Sequence, residues 1–504
     1  MRKGAAFSTS LAALLFAACG AQAQDASIDR SAIVRVAETL APTTLDPQQS
    51  TLAADWQAWQ HAYECLLTTD ADGAIKPRLA ASYTVTPDNL TYDFELQPDI
   101  YFHNGERLTS ADMVYTYDRL KTKGVPLLRG RFYPGLQTVQ AIDADTVRFT
   151  LAAPDPNFLR NISAPGVAGC AIISKSVPEE SLAQKMVGTG PYQQTEYIAN
   201  QRLELRTFDK YWGEKAKNGG LSILYIPDPL TQLANARSGQ VDLFFPVSAM
   251  LRTLSQDKSL TLVSSIMDQI DAIAINTSKP PFDNVLVRRA IAHALNRTAI
   301  VNTVYSGAAV PTSYLPPRLA WGPKLDEVPF NTYDIAKAKA LLAEAGYPQG
   351  FPARLMHMTD RMEDAAQAAV IQSQLAAIGI TVTIDALQPA VWTEKFNAPD
   401  YDMSHNGYFG FANPYEFLRI RTNRTGPVPP ALKALMDQLP QATTDAAFQE
   451  LVSKIALEEA NQAYPGIPTV ARKGYVAHVA GLGNVIAPPD QTRQFLAAVT
   501  VAKR

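Results

Sequence analysis

Three cysteines in 504 residues cannot supply a disulfide-dense scaffold, and no C-x-x-C motif is present for a thioredoxin-like or zinc-ribbon reading. G-x-S-x-G, H-E-x-x-H and the phosphate-binding G-x-x-x-x-G-K-[ST] are also missing, so the common hydrolase, metalloprotease and nucleotidase signatures are absent. The six histidines (His61, His103, His293, His357, His405 and His478) include no pair at metal-ligand spacing. Basic and acidic residues number 45 and 48, for a net charge of -3, which excludes a polybasic surface for nucleic acid or membrane. No apolar run reaches the ~18 residues a bilayer-spanning helix needs. Fixed-period repeats and low-complexity tracts are missing as well.

What is present is ordinary globular composition, 47% hydrophobic and 18% charged, on a chain long enough for two or three cores. The first residues, "MRKGAAFSTSLAALLFAACGAQAQ", read as an export leader. Arg2 and Lys3 precede a short apolar stretch, and Ala21-Gln22-Ala23 is a small-x-small cleavage site. The mature chain is expected to begin near Gln24 in the periplasm. "LFAAC" offers the alternative of a lipid anchor on Cys19. Cys65 and Cys170 then remain; both have apolar neighbours ("YECLL", "AGCAII"), and the expectation is buried free thiols.

Local patterns alternate between strand and helix. "ASYTVTPDNLTYDFELQ" reads as a hairpin, with Tyr83 and Val85 alternating before Pro87-Asp88-Asn89 and Tyr92, Phe94 and Leu96 after it. Thr109 is a helix cap with Asp112 three residues on. "TVRFTL", "RLELRTF" and "LSILYI" add strands. "DNVLVRRAIAHALNRTAIVNTVY" reads as one amphipathic helix. "DIAKAKALLAEAGY" runs from an Asp334 cap to Gly346, and "EDAAQAAVIQSQLAAIGITVTIDAL" is a helix stopped at Gly379 before a strand. Helix-then-strand units imply layered α/β architecture.

Six stretches, "PTTLDPQQS", "AYECLLTTDADGAIKPRLAASYTVTPDNLTYDFELQPDIYFHNGERLTSADMVYTYDRL", "VGTGPYQ", "INTSKPPFDNVLVRRAIAHALNR", "YDIAKAKALLAEAGYPQGF" and "IQSQLAAIGITV", occur in a recognisable order. In them the chain resembles the family 5 extracellular solute-binding proteins, the oligopeptide, dipeptide and nickel-binding components of ABC importers. The resemblance implies an α/β, two-lobed clamshell of the type II periplasmic-binding-protein kind, with an extra inserted subdomain. It places lobe I at residues 24–55, 188–275 and 471–504, the inserted subdomain at 56–187 and lobe II at 276–470. It implies a monomer with no cofactor, a peptide or small-molecule ligand, and an inner-membrane permease as partner; nucleic acid is not among its partners. The chain would cross between lobes near "DAIAINT" and "ARKGYVAHVAG". "FHNG" and "GTGPY" read as scaffold turns.

The site expected from the resemblance centres on "HNGYFGFANPYEFL", His405 to Leu418. Tyr408, Phe409 and Phe411 would line the cleft in lobe II, where aromatic rings supply apolar area and stacking. Tyr415 and Phe417 are expected to pack inward. Peptide-binding members carry an Asp in this region for the ligand ammonium; aligned on Asn413-Pro414, that position is Gly410 here. No acid lies between Met403 and Tyr415, which favours a neutral or anionic ligand. In "LMHMTDRMEDAAQ", Arg361 is the candidate for a ligand carboxylate, with Glu363 and Asp364 as its partners if it is solvated instead. His357 and Thr51 complete the candidates. The alternatives for the same cleft are an opine-like conjugate, a glycoside or a metal-chelator complex. A more distant one is a penicillin-recognising serine hydrolase, from Ser255-Gln-Asp-Lys258, Ser404-His-Asn406 and Lys473-Gly474.

Overall fold

The structure is a computed structural model and describes residues 27–503 except 71–73, 133–134, 156, 164–168, 318, 320–321, 360–361, 409–424, 443 and 491. The expected leader, with Cys19, and most of the aromatic loop lie outside the described residues.

Eleven strands among the described residues form one sheet that continues through both lobes. Lobe I supplies β1 (Ile33–Glu38), β2 (Tyr192–Ile198), β3 (Arg202–Thr207), β4 (Gly220–Tyr225) and β5 (Leu243–Phe244). The 16-residue β6 (Leu260–Ile275) then crosses into lobe II, which adds β7 (Ala309–Pro311), β8 (Pro352–Met358), β9 (Thr381–Leu387) and β10 (Met403–Tyr408). The 14-residue β11 (Gly466–Val479) returns. The spatial order is β9-β8-β10-β6-β11-β5-β1-β4-β3-β2, with β7 beside β11. The two crossing strands are antiparallel neighbours, and their register shifts between Ile266 and Ile270. Residues 472–475 of β11 are half-buried there, between fully buried ends. A β-bulge locally disrupts the ladder and bends the strand.

Lobe I and the inserted subdomain share one core. It joins Val34 and Leu221 of the main sheet to Phe94, Phe149 and Tyr117. The hairpin Ala80–Val85 and Thr91–Leu96 forms as expected, but its first strand faces outward: Tyr83 and Val85 are exposed, while Tyr92, Phe94 and Leu96 are buried. Alternation locates a strand; which of two flanking strands gets the core is decided by the layer that covers it. Short helix α1 (Ala53–Trp59) precedes this subdomain, and α2 (Ser110–Lys123) covers its sheet with the expected Thr109–Asp112 capping box. Gly188 and Gly190 press against the backbone after α1: a Cβ on Gly190 would come within 2.8 Å of the His61 carbonyl oxygen. That contact is scaffold packing.

Cys65 and Cys170 form a disulfide, which corrects the expectation of free thiols. Both are buried, so their apolar neighbours were read correctly; that context is shared by thiols and cystines alike. The bond closes a loop of 105 residues across the subdomain, worth roughly 4–5 kcal/mol by loop-closure entropy.

In lobe II the single helix expected over 284–305 is two. α3 (Val285–Ala294) ends at Leu295 in extended backbone, and Asn296 caps α4 (Arg297–Val304) through Ala299 N at 2.9 Å. An asparagine inside an apolar periodicity is also a start signal, and here the cap wins. α5 (Ile335–Glu344) starts at Asp334 and stops at Gly346, and α6 (Met362–Ala376) ends before Gly379, both glycines having positive φ. α7 (Asp445–Gln462) builds a satellite core with Tyr464 and Leu432. The two described ends meet: Asp29 N bonds Val501 O at 2.7 Å and Lys503 N bonds Ser27 O at 2.8 Å.

Candidate functional site

Strand direction identifies where a ligand sits, since α/β sheets bind at the carboxyl ends of parallel strands. In lobe I, β1 is parallel to β4 and β5, and β5 runs antiparallel to β11, so Glu38 and Phe244 point toward the crossing. In lobe II, β8 and β10 are parallel, and β10 runs antiparallel to β6 with Tyr408 opposite Ile270. His357–Met358 and Gly407–Tyr408 therefore approach the crossing from the other side. Two sets of strand ends approach the crossing strands β6 and β11 from opposite sides, which is where the resemblance implies the cleft.

On the lobe II side a charged cluster is buried. Asp271, on β6 opposite Gly407, is inaccessible to solvent. Its carboxylate accepts from Arg472 Nε at 2.8 Å and from the Tyr305 hydroxyl. Arg472 Nη2 also donates to Asp364 Oδ1 at 3.3 Å, and the guanidinium lies 5.5 Å from the centre of the Tyr305 ring. Gln367 Nε2 supports the Tyr305 hydroxyl at 2.9 Å, and Thr469 supports Gln367 at 2.6 Å. His405 Nδ1 sits 3.4 Å from Asp364 Oδ2. Burial opposes the charge on Arg472, but the Asp271, Tyr305 and Asp364 oxygens outweigh it and hold its pKa above the usual range. Burial and then Asp271 push the Tyr305 hydroxyl well above an ordinary phenol.

Asp271 and Asp364 have side chains 0% and 1% exposed, whereas that of Arg472 is 18% exposed. Two buried carboxylates thus flank one guanidinium that keeps some contact with solvent. The lobe I wall carries a pair as well. Arg493 grips Glu38 with Nε at 2.6 Å and Nη2 at 3.3 Å, over the face of Phe245. Exposed Leu40 and Val247 follow β1 and β5 and give this side apolar surface.

Of the residues expected from sequence, Tyr408 is placed at the cleft end of β10 by its backbone. Arg361, Phe409, Gly410, Phe411 and Asn413 lie outside the described residues, as do Tyr415 and Phe417. His357 is buried at the end of β8 with Nδ1 2.8 Å from Met358 O, and Thr51 is exposed ahead of α1. Asp364 is turned inward to Arg472. Asp271 and Asp364 bring buried acids to this region from other elements. The sequence signal available for them is Arg472, a charge inside the strand pattern "IPTVARKGYVAHV". The hydrolase residues do not converge: Ser255 is exposed and bonds Arg252 O, while Ser404 is buried under Trp392. Among the described residues no group of three or more His, Cys, Asp or Glu is placed to hold a metal ion.

Comparison with known proteins decides the family. The profile for bacterial extracellular solute-binding proteins, family 5, matches residues 74–426. The chain belongs to that family. This solute-binding protein is 28% identical to glutathione-binding protein GsiB of Escherichia coli K12 over 498 residues, 95% of each chain. HbpA2 from Haemophilus parasuis superposes with a TM-score of 0.84 at 23% identity, covering 94% of this chain and all of that one. The Helicobacter pylori periplasmic binding protein DppA, in complex with peptide STSA, gives 0.73 at 23% identity, with 96% and 100% covered. The fold of the solute-binding protein is accordingly the two-lobed, type II clamshell. As a family member it binds a small-molecule or peptide ligand outside the cytoplasm and works with an ABC permease. No helix among the described residues is long and apolar enough to cross a membrane.

Proposed function

We propose that the protein captures a peptide-like zwitterion bearing both an amine and carboxylates, of which glutathione is one example, and delivers it as a monomer to an inner-membrane permease. The observation that carries this reading is the cluster of Asp271, Asp364 and Arg472 at the cleft wall. Its guanidinium suits a carboxylate, and the negative field of its two carboxylates suits an ammonium group. That adds an amine to the neutral or anionic ligand expected from the 403–415 stretch. The relationship to GsiB supports the same class. Crossing strands of two lobes make a hinge, and closure over the solute hides its polar groups against these partners. Lobe I would comprise 24–55, 188–275 and 471–504 and lobe II 276–470; Asp271 and Arg472 stand on the crossing strands at that boundary and pack on Tyr305 and Asp364 of lobe II, with Arg361 and the rings at 408–411 completing the wall.

Calorimetry of the purified protein with glutathione, dialanine and a non-peptide sugar acid tests the reading, alongside mass spectrometry of any co-purified solute. Micromolar or tighter binding of a peptide-like zwitterion, lost in Arg472→Met, is expected. Binding of the sugar acid alone, or a glycoside or metal chelate as the co-purified solute, overturns it.

A further inference from the structure

The inserted subdomain also touches lobe II directly, through residues that belong to neither crossing strand. Arg160, on the short helix Phe158–Asn161, lays its guanidinium over the ring of Phe448 on α7, with the guanidinium carbon 4.7 Å from the ring centre. Both residues are buried, Arg160 at 5% and Phe448 at 3% exposure. On the Arg160 side, Phe158 and Ile162 belong to the core that lobe I shares with the subdomain. Phe448 belongs to the satellite core of lobe II, with Val452 and Leu432. The two cores have no residue in common.

Beside the stack lies a void of about 40 Å³, with Tyr92 and Asp155 on the subdomain side and Ala442 and Thr444 on the lobe II side. It has room for about three waters, and Tyr92, Asp155 and Thr444 give it polar walls. The interior of a core excludes voids of that size. The junction is therefore unlike a core: one cation on one ring next to a pocket that admits water, with no interdigitated apolar layer. Such a junction can part at modest cost, as contacts between domains of one chain do.

Closure about β6 and β11 turns one half of the molecule against the other. A cation–π stack reaches only about 6 Å, so it cannot follow that rotation unless the axis passes through it. We propose that the Arg160–Phe448 stack is a releasable latch between the inserted subdomain and lobe II, holding the lobes at the angle of this structure and parting when the angle changes. The inference rests on the hinge reading above but not on which solute the cleft takes. A desolvated cation–π pair shifts an equilibrium between two lobe angles by about 5- to 30-fold, enough to choose the dominant angle without locking it. Apparent affinity scales with the fraction of protein in the binding-competent form, so the latch also tunes capture.

The test uses the full mature chain without ligand, spin-labelled through Ala199→Cys on lobe I and Lys339→Cys on lobe II, both exposed positions. Pulsed electron–electron resonance then reads the separation of the lobes. The parent should show a main population at the separation of this structure. Arg160→Met and Phe448→Leu, which keep apolar volume on each side, should each change the population ratio by about fivefold or more. Combined, they should change it no further than either alone, because both remove the same contact. Phe448→Leu is sufficient to read the ratio if Arg160→Met does not fold. A parent lacking this separation, a ratio unchanged by the substitutions, or effects that add in the double variant overturn the proposal. Because no solute is added, the result stands or falls separately from the ligand class.

Discussion

The two walls of the cleft are built from the same kinds of side chain and handle charge differently. On lobe I one arginine meets one glutamate, and Glu38 retains 14% of its side-chain surface. On lobe II one arginine meets two aspartates that have lost contact with water. Lobe I and its inserted subdomain are also cross-linked through Cys65 and Cys170, while lobe II has no cysteine. The difference is one of burial: the lobe I glutamate can regain water if its arginine is lost, whereas the lobe II aspartates cannot, and a buried charge is costly until matched.

Breaking the lobe II cluster should have the largest effect. Arg472→Met leaves Asp271 and Asp364 buried without their cation and should cost about 3–5 kcal/mol in urea unfolding, with ligand binding lost. Adding Asp271→Asn and Asp364→Asn should recover most of the stability but not the binding. A loss below about 1 kcal/mol in the single variant would remove the asymmetry between the walls.

Removing the staple comes next: Cys65→Ser with Cys170→Ser should lower stability by about 2–5 kcal/mol, and reductant should do the same to the parent. A variant as stable as the parent by calorimetry would make the cystine incidental. On the lobe I wall, Arg493→Met should cost only about 1.5–3 kcal/mol, because Glu38 can recover water. If it costs as much as Arg472→Met, the contrast fails.

Two histidines before residue 188, buried His61 and half-buried His103, have their pKa values lowered. Burial pushes His61 down to about 3; His103 is pushed down to about 4, an effect its bond to the Gly190 carbonyl partly opposes. In the unfolded chain both titrate near 6.5, so the unfolded state binds more protons once the pH falls below that value. Stability is therefore full above about pH 6.5 and falls as pH drops toward 4. The loss should be about 1–2 kcal/mol per histidine between pH 6.5 and 5. His103→Gln should flatten its share of that slope; an unchanged slope would assign the acid sensitivity to carboxylates. At the small end, Lys454→Ala removes an exposed pair with Glu450 on α7 and should leave the melting temperature unchanged within error.

Local features could be read before the structure was seen. The 80–96 hairpin, the Thr109 cap, the Asp334 cap and the glycine stops at 346 and 379 each depend on residues within a few positions. Features assembled from distant segments could not. Asp271 and Arg472 are 201 residues apart, and Asp364 reaches Arg472 across 108. No short window of sequence contains two of them, so local patterns do not reveal the cluster. The cystine hid for the same reason. The break at Leu295 failed differently, since Asn296 carries both a tolerable helix residue and a cap.

Both described ends of the chain pair with each other on lobe I, through Asp29 with Val501 and Ser27 with Lys503. Any tether attached at either end would consequently hold the same half of the molecule. Under the proposed closure the opposite half, joined to it through β6 and β11, would be the swinging jaw, and a partner sensing the jaw's position would read occupancy without touching the anchor.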